Sequence, residues 1–339
     1  MHINRERTDT SADDLCDLDL TAEGEYRDFP GEHHTIPGGY SLVVEHLVAA
    51  LPPGTVRFGL RLCRLDWSET PVRLHFADGA PTLTADHMIL TVSLGVLKAS
   101  IGKDPSAAGA ITFDPPLPPF KREAVARLGF GAVNKLFMEL EAVEAPEPER
   151  GGGGDDRQLT TSAPPDFPFL HMAFRGQVSK IPWWMRGTES ICPVHEGSSV
   201  ALAWFAGREA AHLESLPDDE VIRGVHATLD SFLPAPPRCR GGSAATSRWR
   251  VKRIKRSGWA MDPLFLGSYS YVAVGSSGED LDRMSEPLPR GQQDHDDDGR
   301  APLRVLFAGE ATHRTRYSTT HAAYLSGMRE ANRLLQHYR

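Results

Sequence analysis

The sequence has few cysteines, and none of them are paired in a motif. Only four occur among 339 residues, and no two form a Cys-x-x-Cys pair. Their positions are Cys16, Cys63, Cys192 and Cys239. This spacing argues against a zinc finger and against a disulfide framework, so we expect no metal centre. Scattered thiols are typical of a reducing compartment, and we therefore expect a cytoplasmic protein.

Long apolar runs are also missing. No run approaches the roughly 20 apolar residues that a membrane-spanning helix needs. Residues 1–19 lack the hydrophobic segment of a secretory signal, and the last three residues are not a peroxisomal tripeptide. We therefore expect no membrane association.

The sequence has no excess of basic residues. It contains 37 Lys and Arg against 45 Asp and Glu, a formal net charge of −8. This balance argues against a nucleic-acid partner and is compatible with a cationic one. With 40% hydrophobic and 24% charged residues, the chain resembles ordinary soluble globular proteins. Its length predicts about two domains, at about 150 residues each, and leaves the oligomeric state open.

Four polar or Gly/Pro-rich segments interrupt the pattern, at residues 146–157, 162–168, 234–247 and 287–302. The last contains Asp294 and Asp296–Asp298 around His295. Such a cluster could attract calcium or a polyamine. Because the side-chain spacing of a calcium loop is absent, we interpret it as a solvated surface insertion.

Helical and strand patterns alternate between these segments. Apolar residues at helical spacing predict helices over residues 41–51, 121–127, 204–216, 218–232 and 321–337. Short apolar or alternating runs predict strands over residues 56–67, 72–76, 87–93, 134–140 and 303–308. The mixture predicts an α/β plus α+β architecture. In the last helix Leu325, Met328, Ala331 and Leu335 lie on one face, at spacings of three and four.

The segment after the last predicted strand is the most informative. Gly309-Glu310 follows that strand, and a polar loop then leads into a helix that begins near Thr319-Thr320. A strand-loop-helix unit directs backbone N–H groups and the positive end of the helix dipole at a ligand. This arrangement suits a phosphate or the polar edge of a reduced flavin, with Glu310 placed to hold a ribose or ribityl hydroxyl. The same pattern also fits a packed connection with a surface glutamate.

These residues resemble the C-terminal flavin motif of the flavin-containing amine oxidases. The matching strings are FAGEATH at 307–313, YSTTH at 317–321 and SG at 326–327. Other matching segments follow in the family's order, at residues 39–40, 91–98, 113–118, 129–131, 134–137, 181–184 and 267–275. Within the family, the sequence is most similar to the polyamine oxidases of the intracellular plant type, which oxidise spermine and thermospermine.

The resemblance implies a set of site residues. Lys135 takes the position of the lysine that faces the flavin N5 and holds a water there, the catalytic role. Without the resemblance, a lysine in an apolar strand is more often a snorkelling edge residue, and an aromatic stripe is more often core. Residues implied to contact FAD are Leu62, Trp259, Phe265, Glu310 and Thr320. Residues implied to contact the substrate are Tyr269, Tyr317 and Thr319.

The resemblance also implies a domain organisation. We expect a partial, Rossmann-like FAD-binding domain interleaved with a substrate domain that is built on a mixed sheet flanked by helices. Residues 1–37 would be a remnant of the substrate domain, and residues 128–268 its main part. Residues 38–127 and 269–339 would form the middle and C-terminal parts of the FAD-binding domain.

The sequence lacks the family's opening motif, a strand followed by Gly-x-Gly-x-x-Gly and a helix. Gly129 and Gly131 are followed by Asn134 at the third position, and the glycine run at 151–154 leads into acidic residues. We therefore expect roughly the first third of the family's alignment to be missing from this sequence, with a pocket histidine and some flavin contacts. Ala322 also departs from the family, which usually has glycine there.

The function implied by the resemblance is FAD-dependent polyamine oxidation in polyamine catabolism. Secondary amines of spermine- or thermospermine-type substrates would react with O2 to give an aminoaldehyde, a shorter amine and H2O2. The alternative is a truncated, catalytically inactive remnant that binds polyamine or a full-length partner. A histone-demethylase-like oxidase is disfavoured because the sequence has no helical-tower insertion and no basic patch suited to a nucleosome.

Overall fold

The computed structural model describes residues 1–32, 34–104, 106–143, 166–174, 180–233, 249–290 and 302–339. These residues form two units that alternate along the chain. The first unit comprises Met1–Leu18 and Gly129–Val274, and the second comprises Asp19–Leu128 and Gly275–Arg339. The aspartate-rich cluster around residue 295 lies outside the described residues, so its interpretation as a surface insertion stays a prediction.

Both helices and strands occur throughout the described residues. The strands there are β1 (Leu62–Asp66), β2 (Val72–Phe76), β3 (Leu83–Ala85), β4 (Met88–Leu90), β5 (Thr112–Asp114), β6 (Gly129–Phe130), β7 (Val133–Ala142), β8 (Leu170–His171), β9 (Ser190–Pro193), β10 (Val200–Ala206), β11 (Trp249–Arg256), β12 (Ser270–Tyr271) and β13 (Val305–Phe307). The α-helices there are α1 (His2–Thr10), α2 (Leu20–Glu23), α3 (Ser41–Ala49), α4 (Leu94–Ser100), α5 (Pro119–Arg127), α6 (Gly207–Ser215), α7 (Asp218–Phe232), α8 (Gly278–Ser285) and α9 (Thr320–His337). The predicted mixed α/β class is confirmed. None of these helices combines the length and the apolar character that crossing a membrane requires.

The first unit contains a five-stranded sheet in the order β11-β7-β10-β9-β8. Each neighbouring pair of strands in it is antiparallel, whereas we expected a mixed sheet for this domain. In β7 the side chains alternate, because successive residues of a strand point to opposite faces. Leu136, Met138 and Leu140 lie in the buried core, while Lys135 and Phe137 are half-buried on the other face.

The second unit contains a four-stranded sheet in the order β3-β2-β1-β5 and a two-stranded sheet of β4 and β13. The four-stranded sheet is mixed, since β1 pairs antiparallel with β2 and parallel with β5. β4 and β13 are parallel, with Phe307 opposite Leu90. β13 is completely buried and leads directly into the Gly309-Glu310 segment.

Two predicted elements differ markedly from the structure. The helix expected over residues 204–216 begins at Gly207, because residues 200–206 form β10 and Trp204 pairs with Lys135 across the sheet. The strand expected over residues 56–67 is limited to Leu62–Asp66. Strand pairing depends on partners that are distant in sequence, so local apolar spacing does not reveal it.

The apolar face of α9 is not its buried face. Met328 and Leu335, two residues of the apolar face, are 48% and 59% exposed. The buried residues are Ala322, Ser326 and Glu330, at a spacing of four. Glu330 can be buried because two arginine side chains pair with its carboxylate. Ion pairing therefore decides which face of this helix is buried, and the spacing of apolar residues does not predict that pairing.

Lys121 is a buried lysine in the second unit. Its side chain is fully buried, and its Nζ donates hydrogen bonds to the carbonyl oxygens of Met284 (2.9 Å) and Glu286 (2.6 Å) at the end of α8. Nζ also lies 3.8 Å from the ring centroid of Phe307. Burial lowers the pKa of Lys121 to about 7, although the carboxylates of Glu286 and Glu330 act in the opposite direction. Arg329 and Arg333 add to the lowering.

We expect Lys121 to make stability depend on pH. Between pH 7 and about 10.5 the unfolded lysine is protonated while the folded one is largely neutral, so the unfolded state binds more protons. The free energy of unfolding should therefore rise with pH in this window, by at most about 1.4 kcal/mol per pH unit. Urea titrations of the wild type and Lys121→Met from pH 6.5 to 9.5 measure this rise as the difference between the two proteins. The exposed Lys103→Met is the control, and an equal pH trend in the wild type and Lys121→Met would contradict the expectation.

Candidate active site

Lys135 lies on β7 directly opposite Trp204 of β10. Its Nζ is 4.3 Å from the centroid of the Trp204 ring, within the range of a cation–π contact. The side chain is half-buried, and this desolvation lowers the pKa of Lys135. A lysine in this environment can hold a water molecule and exchange a proton more readily than a solvated lysine.

The backbone of Lys135 is fixed by the loop that carries Trp259. Ser257 donates its N–H to the carbonyl oxygen of Lys135 at 3.0 Å, and the Lys135 N–H donates to the Ser257 Oγ at 2.9 Å. Trp259 follows two residues later, and its N–H donates to Asn134 Oδ1 at 3.2 Å. The fold therefore brings together the backbones of two predicted site residues, Lys135 and Trp259.

A polar network beneath this loop holds it in place. Asn134 is completely buried and donates its amide to Glu214 and to the carbonyl oxygen of Ala210. The Glu214 carboxylate accepts the backbone N–H groups of Ala260 (2.8 Å) and Met261 (2.9 Å). Because each buried polar group is satisfied, the network favours one conformation of the loop.

Trp259 and Phe265 form an edge-to-face pair with centroids 4.7 Å apart at 84°. Each is 39% exposed, so the pair presents aromatic surface instead of filling a core. The carbonyl oxygen of Trp259 accepts the N–H of Gly267 at 2.8 Å. Tyr269 continues this segment, and its hydroxyl donates to the carbonyl oxygen of Thr8. All four predicted site residues of the first unit therefore belong to β7 or to the single segment that follows β11.

In the second unit, Glu310 follows β13 after Gly309, whose φ of +127° favours glycine. The carboxylate Oε2 of Glu310 accepts the backbone N–H of Ser318 at 2.7 Å. Thr319 caps α9 by accepting the Ala322 N–H at 3.0 Å. The Thr320 hydroxyl is 2.7 Å from the hydroxyl of Tyr40. The loop between β13 and α9 therefore gathers Glu310, Thr319 and Thr320.

Tyr317 belongs to the same loop but is only 3% exposed. Its hydroxyl donates to the carboxylate of Glu23, and its ring meets Tyr26 edge-on at 5.3 Å. Burial and this hydrogen bond both raise the pKa of Tyr317, so the phenol stays protonated. Leu62 lies apart from this loop, half-buried at the start of β1 and opposite Phe76 in the four-stranded sheet.

The β13–α9 loop has polar atoms that suit an additional ligand. Among the described residues, His313 Nδ1 and Arg316 Nε are buried side-chain atoms without a hydrogen-bond partner. Burial and the charges of Arg316 and Arg329 lower the pKa of His313, which favours the neutral ring. Buried polar atoms in proteins are nearly always satisfied. A ligand rich in oxygen and nitrogen, such as a flavin nucleotide, fits this loop.

Sequence reasoning missed several residues of these arrangements. Trp204 was assigned to a helix, although the alternation in VALAWFA at 200–206 could have indicated a strand. Asn134, a polar residue next to Lys135 in an apolar strand, could have indicated a buried polar network. Nothing in the sequence around Glu214 indicated that it is the partner of Asn134. Glu23, the partner of Tyr317, is 294 residues away in sequence and likewise gave no signal.

Comparison with known proteins identifies relatives of the whole chain. The model of the family described as flavin containing amine oxidoreductase matches residues 11–335. Polyamine oxidase 1 of Oryza sativa subsp. japonica is 78% identical over 342 residues, which cover 100% of this chain and 64% of that protein. Probable polyamine oxidase 5 of Arabidopsis thaliana is 46% identical over 358 residues, covering 100% and 62%. The human peroxisomal N(1)-acetyl-spermine/spermidine oxidase is 37% identical over 337 residues, covering 93% and 57%. The chain spans less than two thirds of the length of each of these relatives.

Proposed function

This chain belongs to the flavin containing amine oxidoreductase family, and from that premise we propose that it is a polyamine oxidase. Family membership implies FAD as the cofactor. The proposed substrates are polyamines of the spermine or thermospermine type, oxidised at a secondary amine. The products are an aminoaldehyde, a shorter amine and H2O2. We place the reaction in the cytoplasm, because the scattered cysteines suit a reducing compartment.

The observation that carries this proposal is the position of Lys135. It is a half-buried lysine with a lowered pKa, packed on Trp204 and fixed to the loop of Trp259. An ordinary edge lysine extends into solvent and keeps its ammonium hydrated. Lys135 instead has the environment expected of a residue that positions water and moves a proton.

The first unit is proposed to bind the polyamine. Tyr269 would confine the polyamine chain, and the partly exposed faces of Trp259 and Phe265 are proposed to contact FAD. Only a neutral amine has the lone pair that oxidation at the adjacent carbon requires. An aromatic pocket favours the neutral form, because desolvation lowers the pKa of an amine. Lys135 would then hold a water molecule through which the substrate amine loses its proton before it is oxidised.

The second unit is proposed to contribute contacts to FAD. Glu310 and Thr320 would hold it from the β13–α9 loop, and Leu62 from β1. When bound, FAD supplies the two-electron acceptor that O2 then regenerates, with H2O2 as product. Thr319 is proposed to contact the substrate. Tyr317 was expected to do the same, but its side chain is 3% exposed and its hydroxyl donates to Glu23, so we assign it to holding the loop. The net reaction consumes one amine, O2 and water, and it releases one aldehyde, one amine and H2O2.

The test is to purify the chain and measure bound flavin and peroxide release together. We expect a flavin absorption spectrum after incubation with FAD, and H2O2 release on addition of spermine or thermospermine. The rice polyamine oxidase 1, prepared in parallel, is the positive control for both assays. Circular dichroism confirms that the chain is folded in each sample.

Two results would contradict the proposal. A folded chain that retains no flavin absorbance after incubation with millimolar FAD and removal of the unbound FAD would exclude its use of the cofactor. A yellow chain that releases no peroxide with any polyamine would exclude polyamine oxidation. Calorimetry with spermine would then show whether the folded chain still binds polyamine without oxidising it.

A further inference from the structure

The helix α9 carries a buried carboxylate that pairs with two arginines, and these arginines differ in their other contacts. Glu330 is completely buried, and its oxygens accept Arg329 Nε at 2.5 Å and Arg333 Nε at 2.8 Å. Both arginines are partly exposed, at 30% and 36% of their side chains. They therefore neutralise the same buried charge from the same helix, and they differ in what else they contact.

Arg329 also spans the segment that carries Glu310. Its Nη1 donates to the carbonyl oxygen of Thr312 at 2.7 Å. Its Nη2 donates to the carbonyl oxygen of Phe307 at 2.9 Å and to Thr312 Oγ1 at 3.1 Å. Phe307 is the last residue of β13, and Thr312 ends the short turn that Glu310 begins. One guanidinium thus joins both ends of this segment to α9.

A second residue of α9 holds the middle of the same segment. Ser326 is completely buried, and its Oγ accepts the N–H of Gly309 at 2.8 Å. Ser326 and Arg329 lie three residues apart, on neighbouring positions of one helix face. Residues of α9 therefore bind the backbone on both sides of Glu310. Ser326 binds Gly309 before it, and Arg329 binds Thr312 after it.

We propose that Arg329 is a positioning residue that fixes Glu310 in the orientation needed to bind the cofactor. This inference rests on the proposed function, because it needs FAD in the β13–α9 loop. Glu330 orients the guanidinium through Nε, which leaves the two terminal nitrogens for the loop. Arg333 pairs with the Glu330 carboxylate and balances its charge. A lysine cannot replace Arg329, because an ammonium lacks the planar fork that reaches these acceptors together.

The experiment compares Arg329→Lys with the matched variant Arg333→Lys. Both substitutions keep the positive charge beside Glu330, and only the first removes the contacts to the loop. We expect the dissociation constant for FAD, measured by quenching of flavin fluorescence, to rise about 10- to 100-fold in Arg329→Lys. In Arg333→Lys it should stay within about twofold of the wild type. Ser326→Ala, which removes the acceptor for Gly309, should also weaken FAD binding.

A second readout separates positioning from simple stabilisation. In the FAD-free protein we expect the amides of residues 309–312 to exchange hydrogen faster in Arg329→Lys than in Arg333→Lys. The melting temperatures of these two variants should be similar. Equal FAD affinity in both variants would overturn the inference, and so would equal exchange rates. If the wild type binds no FAD, the proposed function has failed, and the exchange measurement still decides whether Arg329 fixes the loop. If Arg329→Lys does not fold, a wild-type FAD affinity of Ser326→Ala overturns the inference.

Discussion

Replacing Lys135 by methionine is expected to slow reduction of the bound flavin by about 100-fold or more, the scale at which positioned proton-transfer groups act. Methionine has a similar length and fits against the Trp204 ring, but it can neither hold a water molecule nor exchange a proton. The measurement is the decay of flavin absorbance in an anaerobic stopped-flow experiment with spermine. Burial lowers the pKa of Lys135, so the wild-type rate of flavin reduction should begin to rise at a lower pH than the ordinary pKa of lysine would give.

The control for this prediction is Lys255→Met. Lys255 lies on the neighbouring strand β11, opposite Phe137, and it is exposed. Its loss should leave flavin reduction within about twofold of the wild-type rate, since exposed lysines contribute little beyond solvation. An unchanged rate in Lys135→Met would remove Lys135 from the mechanism, whatever the control shows.

The largest effect on stability is expected from Gly131→Ala. A Cβ at this position would lie 1.8 Å from the carbonyl oxygen of Ser11, which is backbone and cannot rotate away. Gly131 also anchors the site segment, because its N–H donates to Tyr269 O at 3.1 Å and its carbonyl oxygen accepts the Ser268 N–H at 2.8 Å. We expect the free energy of unfolding to fall by about 3 kcal/mol or more, as for severe overpacking.

Urea denaturation followed by tryptophan fluorescence measures this loss. The control is Gly258→Ala in the same unit, where the nearest atom to a new Cβ is Glu214 Oε2 at 3.8 Å. That contact is ordinary, so the stability should change by less than about 0.5 kcal/mol. Similar losses in the two variants would show that the close approach at Ser11 relaxes without cost.

The sequence predicted helices and strands well where the residues of one segment determine its secondary structure. The helix over residues 218–232 and the strand over residues 72–76 agree with the structure at both ends. In both cases polar or proline-containing flanks and a continuous period mark the boundaries. Trp204 was misassigned because its apolar neighbours fit both a strand and a helix, and only pairing with β7 distinguishes them.

The candidate site was predicted as residues and not as contacts. The resemblance singled out Lys135, Trp259 and Glu310, but not the network that fixes each of them. Glu214 and Arg329 lie on helices, and the spacing of apolar residues in a helix does not predict the partners of its polar side chains. Such partners are chosen by distance in space, and residues far apart in the sequence meet there without leaving a local signal.

The sequence alone determined the family to which the chain belongs, its mixed α/β class and the short strand that leads into Gly309-Glu310. These properties depend on motifs and periods that are local to the chain. Only the tertiary structure decided that Glu330 is buried while Met328 and Leu335 are exposed, and that Lys135 packs on Trp204. The physical reason is that the cost of burying a charge depends on its partners, and folding alone brings those partners together.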